Sequence, residues 1–404
     1  MLWLIQSILS TTQKLMNRLT IVADRHIWEV GSAFGALPDW QVNLITLERG
    51  EINAEAVRDA DILLVRSGVA VDAGLLAGSS VRFVATATVG DDHLDKAYLD
   101  ECGIAFATAA GSSTRSVVEY ILAALFHLHR HSHIHLPDAC LGVVGAGRIG
   151  SSVELAAQAL GMQVLANDPP RSRQGDQGLK ELPELLRQAD ILTLHTPLTH
   201  TGADATYHLL DDEQLNAFTG RGIINAARGG VLHDAALLRW LNDDVSRFAV
   251  LDCWEHEPAI SRSLLGNPRV ILATPHIAGH SVDGKAANTQ FVYDALCRFL
   301  DIAPAWNMRR HLPAEASEPL LIDTASSSMD ALADAALCLY AIDEDGKRLR
   351  TCLDNHDDAS LAAAFVQQRR QYPSRRQWDA SPIRFDNPAP ALAQVATAIS
   401  LRIV

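Results

Sequence analysis

The sequence predicts an α/β protein in which parallel strands alternate with helices, and three observations support this fold class. Short apolar runs alternate with segments of helical spacing between residues 19 and 276. The motif G-x-G-x-x-G, at residues 145–150, lies directly between one apolar run and an amphipathic segment. Polar residues follow several of the runs, at the edge where parallel sheets collect their ligands.

Length and composition are those of a globular enzyme with more than one domain. At 404 residues the chain is too long for one ordinary core, so we expect two or three domains. Hydrophobic residues make up 48% and charged residues 20% of the chain. The net charge of −14 disfavours nucleic acid and membrane as main partners, because both would repel the protein. An anionic small molecule is still compatible with arginines that gather locally.

The cysteines and the N-terminus indicate a cytoplasmic protein. Six cysteines are scattered without C-x-x-C spacing, which is typical of a reducing compartment and predicts no metal site. No apolar run has the length needed to cross a bilayer. The opening MLWLIQSILS lacks the basic region and cleavage site of a signal peptide. We therefore treat residues 1–18 separately from the predicted domains. They are either an N-terminal extension or the result of a translation start assigned upstream of Met16.

The first part of the chain predicts a parallel sheet of five strands. Two short polar turns, at 66–68 and 88–91, follow predicted strands and are candidate substrate contacts at a sheet edge. The apolar runs that predict the strands are 19–23, 42–46, 62–65, 81–87 and 104–107.

A strongly apolar helix is predicted over residues 117–128. It is too apolar for a free surface helix, so we expect it to pack between two domains. Histidines follow at alternate positions, a spacing that cannot face one way on a helix, and no acidic partner lies close in sequence. We therefore expect a solvated linker rather than a metal site at His127, His129, His131, His133 and His135.

The stretch from Cys140 to Asp168 predicts a strand, a glycine turn, a helix and a second strand that bind a dinucleotide. Gly145 permits the tight turn, Gly147 lets the backbone approach a pyrophosphate, and Gly150 lets the helix pack closely on the strand. The pyrophosphate would lie at the N-terminus of the helix, where backbone N–H groups are unpaired.

Asp168 predicts the choice between the two nicotinamide cofactors. A carboxylate at the end of the second strand accepts hydrogen bonds from a ribose 2′-OH and repels a 2′-phosphate, so NAD is favoured over NADP. Arg171 and Arg173, just beyond, leave NADP open as the alternative.

Four more strands complete a predicted doubly wound sheet of six. Polar residues follow these strands, and because the strands are parallel, those residues share one edge with the glycine turn. Among them are Arg228, Glu257 and His276. The four strands are predicted at 191–194, 222–225, 248–251 and 270–273.

Together, Arg228, Glu257 and His276 point to the oxidation of a 2-hydroxy acid. A guanidinium grips a carboxylate with two hydrogen bonds and so fixes the adjacent hydroxyl carbon. Histidine can take the hydroxyl proton near neutral pH as hydride leaves. A glutamate within reach orients the imidazole and stabilises its cation.

The last part of the chain predicts a small α+β unit that serves self-association or regulation. Pro304, Pro313 and Pro319 mark the connecting stretch before it. Strands are predicted at 320–323 and 383–385, and helices near 329–340, 360–370 and 389–400.

These motifs resemble the D-isomer-specific 2-hydroxyacid dehydrogenases. The resemblance rests on the glycine motif, NAARGG around Arg228, LDCWEHEP at 251–258 and TPHIAG around His276. It implies a Rossmann-type NAD-binding domain (111–276) inserted in a flavodoxin-like α/β substrate domain (19–110, with 277–300 returning to it). Residues 301–404 would form a small α+β dimerisation domain, so that the protein is a homodimer.

The resemblance also implies roles for single residues. The catalytic residues would be Arg228, Glu257 and His276, and the substrate contacts would be Ser67, Thr88 and His280. His280 replaces a usual tyrosine, and as a cation it would bind a phosphate better than a phenol does. The NAD contacts would be Gly145, Gly147, Arg148, Ile149, Gly150, Asp168, Thr196, Ala226, Ala227, Arg228, Asp252 and Gly279.

Further motifs are similar to one branch of the family, which oxidises 4-phospho-D-erythronate at C2 with NAD. They include LLVRSG at 63–68, HIAGHSVDGKA at 276–286 and QYPSRRQW at 371–378. Candidates for the substrate phosphate are Arg66, Arg350 and the pair Arg375 and Arg376. A sister enzyme acting on 3-phosphoglycerate or hydroxypyruvate is the first alternative, and an NAD-sensing scaffold without activity is the second.

Overall fold

The computed structural model describes residues 17–324, 327–373, 375–386 and 389–404. The chain divides into two compact units. Unit 1 is formed by residues up to 110 and by 286–312, and unit 2 by 111–285 and 313–404. Most of the N-terminal segment set apart above, residues 1–16, lies outside the described residues, whereas residues 17 and 18 begin the first strand.

Unit 1 contains a five-stranded parallel sheet, as the sequence predicts. Its spatial order is β2-β1-β3-β4-β5. The strands are β1 (Asn17–Asp24), β2 (Trp40–Leu47), β3 (Ile62–Val65), β4 (Phe83–Thr86) and β5 (Ala105–Thr108). Short helices connect them: α1 (Val30–Phe34), α2 (Ala54–Val57), α3 (Ala73–Leu76) and α4 (Lys96–Glu101). Strands β3 and β4 are buried along their whole length, which explains their continuous apolar sequence.

Unit 2 contains the predicted six-stranded parallel sheet, in the order β7-β6-β8-β9-β10-β11. The strand order reverses between β6 and β8, which is the switch point where such sheets bind ligands. The strands are β6 (Cys140–Val144), β7 (Gln163–Asn167), β8 (Ile191–Leu194), β9 (Gly222–Asn225), β10 (Phe248–Leu251) and β11 (Val270–Ala273).

Helices accompany this sheet in chain order. They are α5 (Thr114–Arg130), α6 (Arg148–Ala159), α7 (Pro169–Arg173), α8 (Leu182–Gln188), α9 (Asp212–Ala217), α10 (Asp234–Asp243), α11 (Arg262–Leu265) and α12 (Val282–Leu300). The boundary between the units, after residue 285, falls within α12. In the described part of the chain, no helix combines the length and the apolar character that a bilayer crossing requires.

Helix α5 lies in the core of unit 2. Residues 120–126 are fully buried, and the helix packs against α6 and against α13 (Ser328–Leu339). Both partners belong to unit 2, and α6 lies in the predicted NAD-binding domain whereas α13 lies in the predicted C-terminal domain, so the helix packs between these two parts of the chain. A helix that is apolar on all faces must be buried on all faces, and the surrounding elements of unit 2 bury α5 in this way.

Residues 313–404 add a second, smaller parallel sheet to unit 2. The order is β12-β13-β14, from β12 (Leu320–Ile322), β13 (Pro382–Phe385) and β14 (Arg402–Ile403). Its helices are α13, α14 (Ile342–Asn355), α15 (Asp358–Arg370) and α16 (Pro390–Ala398). Helix α14 packs against β11, and residues 313–404 belong to the same compact unit as the six-stranded sheet.

A pair of arginines fastens this C-terminal segment to the rest of unit 2. Arg375 forms an ion pair with Glu119 of α5, whose side chain is 1% exposed, and Trp378 donates its backbone N–H to the same carboxylate at 2.9 Å. Arg376 donates to both oxygens of Asp283, at 3.0–3.2 Å. Burial raises the pKa of Glu119, and Arg375 offsets this only in part.

These contacts give the candidate phosphate-binding arginines other partners. Arg375 and Arg376 are engaged by carboxylates inside unit 2. Arg350 donates to the backbone carbonyl of Val270. A substrate phosphate would have to displace these partners to be bound by any of the three side chains.

The histidine-rich segment is not a uniform solvated linker. His127 and His129 lie in the last turn of α5, and His127 is 8% exposed. The ring of His131 stacks on that of His127 with 4.1 Å between centroids. Burial, helped by the neighbouring His131, lowers the pKa of His127 to about 4. The apolar character of the preceding helix continues to His127, which is why this residue is buried.

The low pKa of His127 makes the stability of the protein sensitive to acid. An unfolded histidine takes a proton near pH 6.5, whereas folded His127 resists it until about pH 4. The unfolded state therefore binds more protons in this range, so the free energy of unfolding should fall as the pH drops from 6.5 to 4. We expect a loss of about 2 kcal/mol from this group, after allowance for its partial exposure.

Urea unfolding at a series of pH values measures this effect. His127→Gln should reduce the fall in the free energy of unfolding between pH 6.5 and 4 by about 2 kcal/mol, leaving the part that belongs to other buried histidines such as His195, and His135→Gln, at an exposed site, should leave it unchanged. Equal slopes for the His127→Gln variant and the wild type would contradict the assignment.

Candidate active site

The polar residues singled out in the second half of the sequence lie at one edge of the unit 2 sheet. The glycine turn follows β6, Thr196 follows β8, and Arg228 follows β9. Glu257 comes after β10 and His276 after β11. All of these strands are parallel, so their carboxyl ends share that edge.

The glycine turn has the geometry of a phosphate-binding loop. Gly145 has φ +91°, and a Cβ atom there would lie 2.9 Å from the backbone of His195. A Cβ atom at Gly150 would lie 2.0 Å from the Gly145 carbonyl oxygen, so only glycine lets α6 start so close to β6. A Cβ atom at Gly147 would meet nothing within 4 Å, which leaves this side of the turn open. The twelve-residue helix α6 begins at Arg148, and its N-terminus suits an anion.

Asp168 lies at the end of β7 beside the glycine turn. Its Oδ2 accepts the backbone N–H of Ala146 at 3.0 Å, and its Oδ1 caps α7 by accepting the N–H of Arg171 at 3.1 Å. Each carboxylate oxygen keeps a lone pair that can accept a ribose hydroxyl.

Both arginines that left NADP open already have hydrogen-bond partners within the protein. Arg171 donates to the Ala146 carbonyl, to Ser151 Oγ at 3.0 Å and to Asp176 at 2.6 Å. Arg173 pairs with Asp204. These contacts favour NAD, because neither guanidinium is held ready for a 2′-phosphate.

The residues after β8 carry buried polar atoms without partners. The Oγ1 atom of Thr196 and the Nδ1 atom of His195 are buried and form no hydrogen bond, whereas His195 Nε2 lies 3.0 Å from Thr193 Oγ1. Burial lowers the pKa of His195 to about 3, so the ring is neutral. A buried hydroxyl without a partner is unusual in a native fold and is typical of a ligand site. The Thr196 side chain also borders the glycine turn, which fits a bound dinucleotide.

The loop after β9 positions Arg228. Asn225 holds this loop from both sides, because its Nδ2 donates to the Arg228 carbonyl at 3.0 Å and its Oδ1 accepts the Ala227 N–H at 3.2 Å. A Cβ atom at Gly229 would lie 1.8 Å from the carbonyl oxygen of Trp254. This close approach brings the Arg228 loop directly against the loop that carries Glu257.

Glu257 and His276 form a hydrogen-bonded pair. Glu257 Oε2 lies 2.8 Å from His276 Nδ1, and Oε1 accepts the Trp254 N–H at 2.8 Å. Burial raises the pKa of Glu257, but His276, the Trp254 N–H and Arg369 together outweigh burial and leave the pKa below its ordinary value. The glutamate is therefore ionised and can orient the imidazole.

Asp252 holds the loop that carries His276. Its side chain is fully buried and accepts from the backbone of Ile277 at 2.7 Å, from that of Ala278 at 2.9 Å, and from Thr274 Oγ1 at 2.7 Å. Burial raises the pKa of Asp252, and His276 and these donors offset part of the effect. Both carboxylate oxygens are thus used within the protein, although the sequence assigned this residue to the cofactor.

Cys253 is a neighbour of the pair that the sequence analysis did not single out. Its Sγ atom lies within 4.8 Å of ligand atoms of both Glu257 and His276. The thiol donates to the Ala227 carbonyl at 3.3 Å, and burial keeps its pKa well above the ordinary value. It therefore packs, as a neutral thiol, between the Arg228 loop and the Glu257–His276 pair. Its place within LDCWEHEP is the signal that could have identified it.

Five other predicted site residues also belong to unit 2. Arg148 is the first residue of α6, and Ile149 follows it, packed on the core. Ala226 and Ala227 follow β9, and Gly279 comes directly after Ala278.

His280 lies at the other end of its loop, beside the C-terminal segment. Its backbone N–H donates to the Ile277 carbonyl at 2.7 Å, and its ring centroid is 6.3 Å from that of Tyr372.

Ser67 and Thr88 follow adjacent strands of unit 1. Ser67 is exposed just after β3. Thr88 Oγ1 lies 2.7 Å from Thr86 Oγ1 at the end of β4 and donates to the Gly90 carbonyl at 3.1 Å. Arg49, which no motif marked, packs its side chain across Gly68 and so brings a cation to this edge.

Comparison with known families agrees with this geometry. Residues 117–278 match the model of the D-isomer specific 2-hydroxyacid dehydrogenase, NAD binding domain. Among solved structures, the chain is similar to D-lactate dehydrogenase from Aquifex aeolicus complexed with NAD and lactic acid, at a TM-score of 0.59 and 24% identity, covering 70% of this chain and 95% of that one. NAD⁺-bound 3-phosphoglycerate dehydrogenase of Entamoeba histolytica gives a TM-score of 0.60 and 21% identity over 70% and 96%. At these levels of sequence identity, the structural similarity shows the fold alone.

Curated relatives are much more similar in sequence. The erythronate-4-phosphate dehydrogenase of Azotobacter vinelandii is 40% identical over 382 residues, which cover 94% of this chain and 99% of the relative. That of Pseudomonas syringae pv. syringae is 39% identical over 387 residues, covering 96% and 100%. The chain therefore belongs to the erythronate-4-phosphate dehydrogenase family, within the NAD-dependent D-isomer-specific 2-hydroxyacid dehydrogenases.

Proposed function

We propose that this enzyme oxidises 4-phospho-D-erythronate at C2 with NAD, giving 2-oxo-3-hydroxy-4-phosphobutanoate for pyridoxal 5′-phosphate biosynthesis. The geometric observation that supports this reaction is the 2.8 Å contact between His276 Nδ1 and Glu257 Oε2 at the carboxyl edge of the sheet. The choice of substrate rests on the curated relatives named erythronate-4-phosphate dehydrogenase. They are about 40% identical to this chain over nearly its whole length.

NAD, when bound, accepts a hydride from the substrate carbon. The backbone N–H groups at Gly147, Arg148 and Ile149 would hold the pyrophosphate, and Asp168 would hold the ribose. Thr196 would use its buried hydroxyl, which has no protein partner. Ala226, Ala227, Arg228 and Gly279 would complete the site from the neighbouring loops, with Asp252 acting through the loop that it holds.

His276 takes the proton of the C2 hydroxyl in this proposal. Because Glu257 is bonded to Nδ1, Nε2 is the nitrogen that faces the substrate. The carboxylate of Glu257 then stabilises the imidazolium that forms. In the reverse reaction the same imidazolium returns the proton to the carbonyl oxygen.

Arg228 binds the substrate carboxylate and stabilises the charge that develops on the C2 oxygen. Its guanidinium can form two parallel hydrogen bonds to a carboxylate. The contacts of Asn225 fix the backbone of this loop, and the guanidinium itself donates to the Ala227 carbonyl at 2.8 Å. Ser67, Thr88 and His280 stay proposed substrate contacts, the first two because they follow adjacent strands of unit 1.

We also propose a cytoplasmic homodimer that associates through residues 301–404. The six cysteines are free in the structure, as expected in a reducing compartment. Leu321 is 71% exposed on β12, an edge strand of the small sheet, and an exposed apolar edge favours pairing with a second copy. Analytical ultracentrifugation tests this, and a monomer at micromolar concentration would contradict it.

A substrate panel tests the reaction. Purified protein with NAD is assayed for NADH formation with 4-phospho-D-erythronate, 3-phosphoglycerate, glycerate and lactate. We expect the highest kcat/KM for 4-phospho-D-erythronate. A preference for 3-phosphoglycerate would move the enzyme to a sister activity, and NADH binding without turnover of any 2-hydroxy acid would indicate a scaffold.

Thr196→Val tests the cofactor site without removing bulk. Because the hydroxyl has no partner in the protein, this change should leave the free energy of unfolding of the apoprotein unchanged or slightly higher. The dissociation constant for NADH should rise about 3- to 10-fold, which corresponds to the free energy lost with one hydrogen bond. Fluorescence titration with NADH measures it. Thr219→Val, at a threonine that follows α9, is the control, and unchanged NADH affinity of Thr196→Val would remove this residue from the site.

A further inference from the structure

A second cluster of ionisable side chains lies in unit 2, apart from the catalytic pair. Side-chain ligand atoms of His208, His233 and Glu255 all lie within 4.8 Å of one another. His208 Nε2 is 2.6 Å from Glu255 Oε1, and the rings of His208 and His233 stack with centroids 4.2 Å apart. The proposed reaction uses none of these three side chains.

The backbone holds the two histidines in register. His208 donates its backbone N–H to the Gly230 carbonyl at 2.7 Å, and His233 donates its own to the Leu210 carbonyl at 3.0 Å. Between them, Leu210 and Leu232 form a parallel β-bridge. The imidazoles therefore project from two segments that are hydrogen-bonded to each other, so their separation is fixed by the main chain.

The carboxylate of Glu255 is oriented by the backbone as well. Its Oε2 accepts the N–H of Asp234 at 3.0 Å, which turns Oε1 toward His208. His256 Nε2 lies 3.7 Å from the same Oε1, and its side chain is 74% exposed. The Glu255 side chain is 6% exposed and that of His208 is 25% exposed, so the cluster is shielded but can be reached from solvent.

We propose that His208, His233 and Glu255 form a binding site for a divalent transition-metal ion such as Zn²⁺. Two imidazoles and one carboxylate are a ligand set that zinc uses with an open fourth position. Imidazole nitrogen also selects transition metals over Mg²⁺ and Ca²⁺, which prefer oxygen ligands.

The side chains need only small movements to take the ion. Zinc bonds of about 2.0–2.1 Å place tetrahedral ligand atoms about 3.3 Å apart. The hydrogen bond between His208 and Glu255 would open by less than about 1 Å, and the stacked His233 ring would rotate so that a nitrogen faces the ion. His208 and His233 are half-buried, and the His208 ring lies stacked between those of Tyr207 and His233, so the rotation of His233 gives up one ring contact.

Isothermal titration of tag-free, full-length enzyme with ZnCl₂ tests the site, with MgCl₂ as the comparison ion. We expect one equivalent of Zn²⁺ to bind and Mg²⁺ to give no heat of binding. Substitution with Co²⁺ should give the visible absorption of a cation bound by imidazole nitrogen. His208→Gln, His233→Gln and Glu255→Gln should each weaken Zn²⁺ binding about 100-fold or more, since each removes one of three ligands.

The variants separate this site from other places that could bind zinc. His233→Gln leaves the bond between His208 and Glu255 intact, so its fold should be preserved, and far-UV circular dichroism checks this. His135→Gln is the matched control, because His135 also forms a close pair with a carboxylate, Asp138 at 2.8 Å, and among the described residues this pair belongs to no group of three ligands. Cys253→Ser removes a ligand from the group that Cys253 forms with Glu257 and His276.

Zinc binding that survives in His135→Gln and Cys253→Ser and is lost in His233→Gln supports the proposal. No binding by the wild type, or binding that only Cys253→Ser abolishes, would overturn it. Equal affinity of the wild type and of a His208→Gln, His233→Gln double variant would overturn it as well.

Discussion

Replacing His276 with glutamine is expected to lower kcat about 10³-fold for oxidation of 4-phospho-D-erythronate, the effect of losing a general base. Glutamine keeps a polar side chain of similar reach but cannot accept the C2 proton. The dissociation constant for NADH should change little, because His276 is not among the proposed cofactor contacts. Steady-state kinetics and an NADH titration separate the two effects.

Glu257→Gln and His256→Gln are the companion variants. Glu257→Gln keeps a hydrogen-bond acceptor for His276 Nδ1 but removes the charge that stabilises the imidazolium, so we expect a smaller loss, about 10- to 100-fold in kcat. His256→Gln changes an exposed imidazole on the same loop and should stay close to wild type. A His276→Gln enzyme with more than a tenth of the wild-type kcat would exclude His276 as the base.

Replacing Arg228 with lysine is expected to lower kcat/KM about 10²- to 10³-fold although the positive charge is kept. A lysine ammonium is a point charge and cannot form the two parallel hydrogen bonds that a guanidinium makes to a carboxylate. Removing one partner of a desolvated charge pair costs about 2–5 kcal/mol, which corresponds to this loss. Initial rates over a range of substrate concentrations measure it.

Arg239→Lys is the matched control for this substitution. Arg239 makes two hydrogen bonds to Asp212, at 2.9 and 2.6 Å, but its side chain is 56% exposed and far along α10 from the loop after β9. It should leave kcat/KM unchanged. An equal effect of the two lysine substitutions, or a wild-type kcat/KM for Arg228→Lys, would rule out a specific carboxylate contact by Arg228.

The sheets could be predicted from the sequence because each strand is marked by its own short run of mostly apolar residues. β8, β9 and β10 are buried along their whole length, so each is a short, mostly apolar run followed by a polar turn. The pairing of Glu257 with His276 could be expected for the same reason, since both follow neighbouring parallel strands. The contact itself could not be derived from spacing alone, because it depends on how the two loops fold back.

Features that depend on distant partners were missed. Helix α14 is amphipathic but rich in charged residues, and only one narrow face, which includes Leu349 and Cys352, is buried, so it has few apolar residues that would mark it in the sequence. Arg375 has its partner Glu119 256 residues away. The cluster around Glu255 needs the β-bridge between Leu210 and Leu232, which no local pattern predicts.

The ion pair between Glu119 and Arg375 limits where the gene can be shortened. The structural relatives match only 70% of this chain, so an expression boundary copied from them would discard a large part of it. A cut before Tyr372 would take from the buried carboxylate of Glu119 both Arg375 and the Trp378 N–H, and would leave it only the longer contact with Arg115, at 3.3 Å. Such a fragment should misfold and precipitate, so crystallisation or biosensor work on the nucleotide-binding half requires an intact C-terminus.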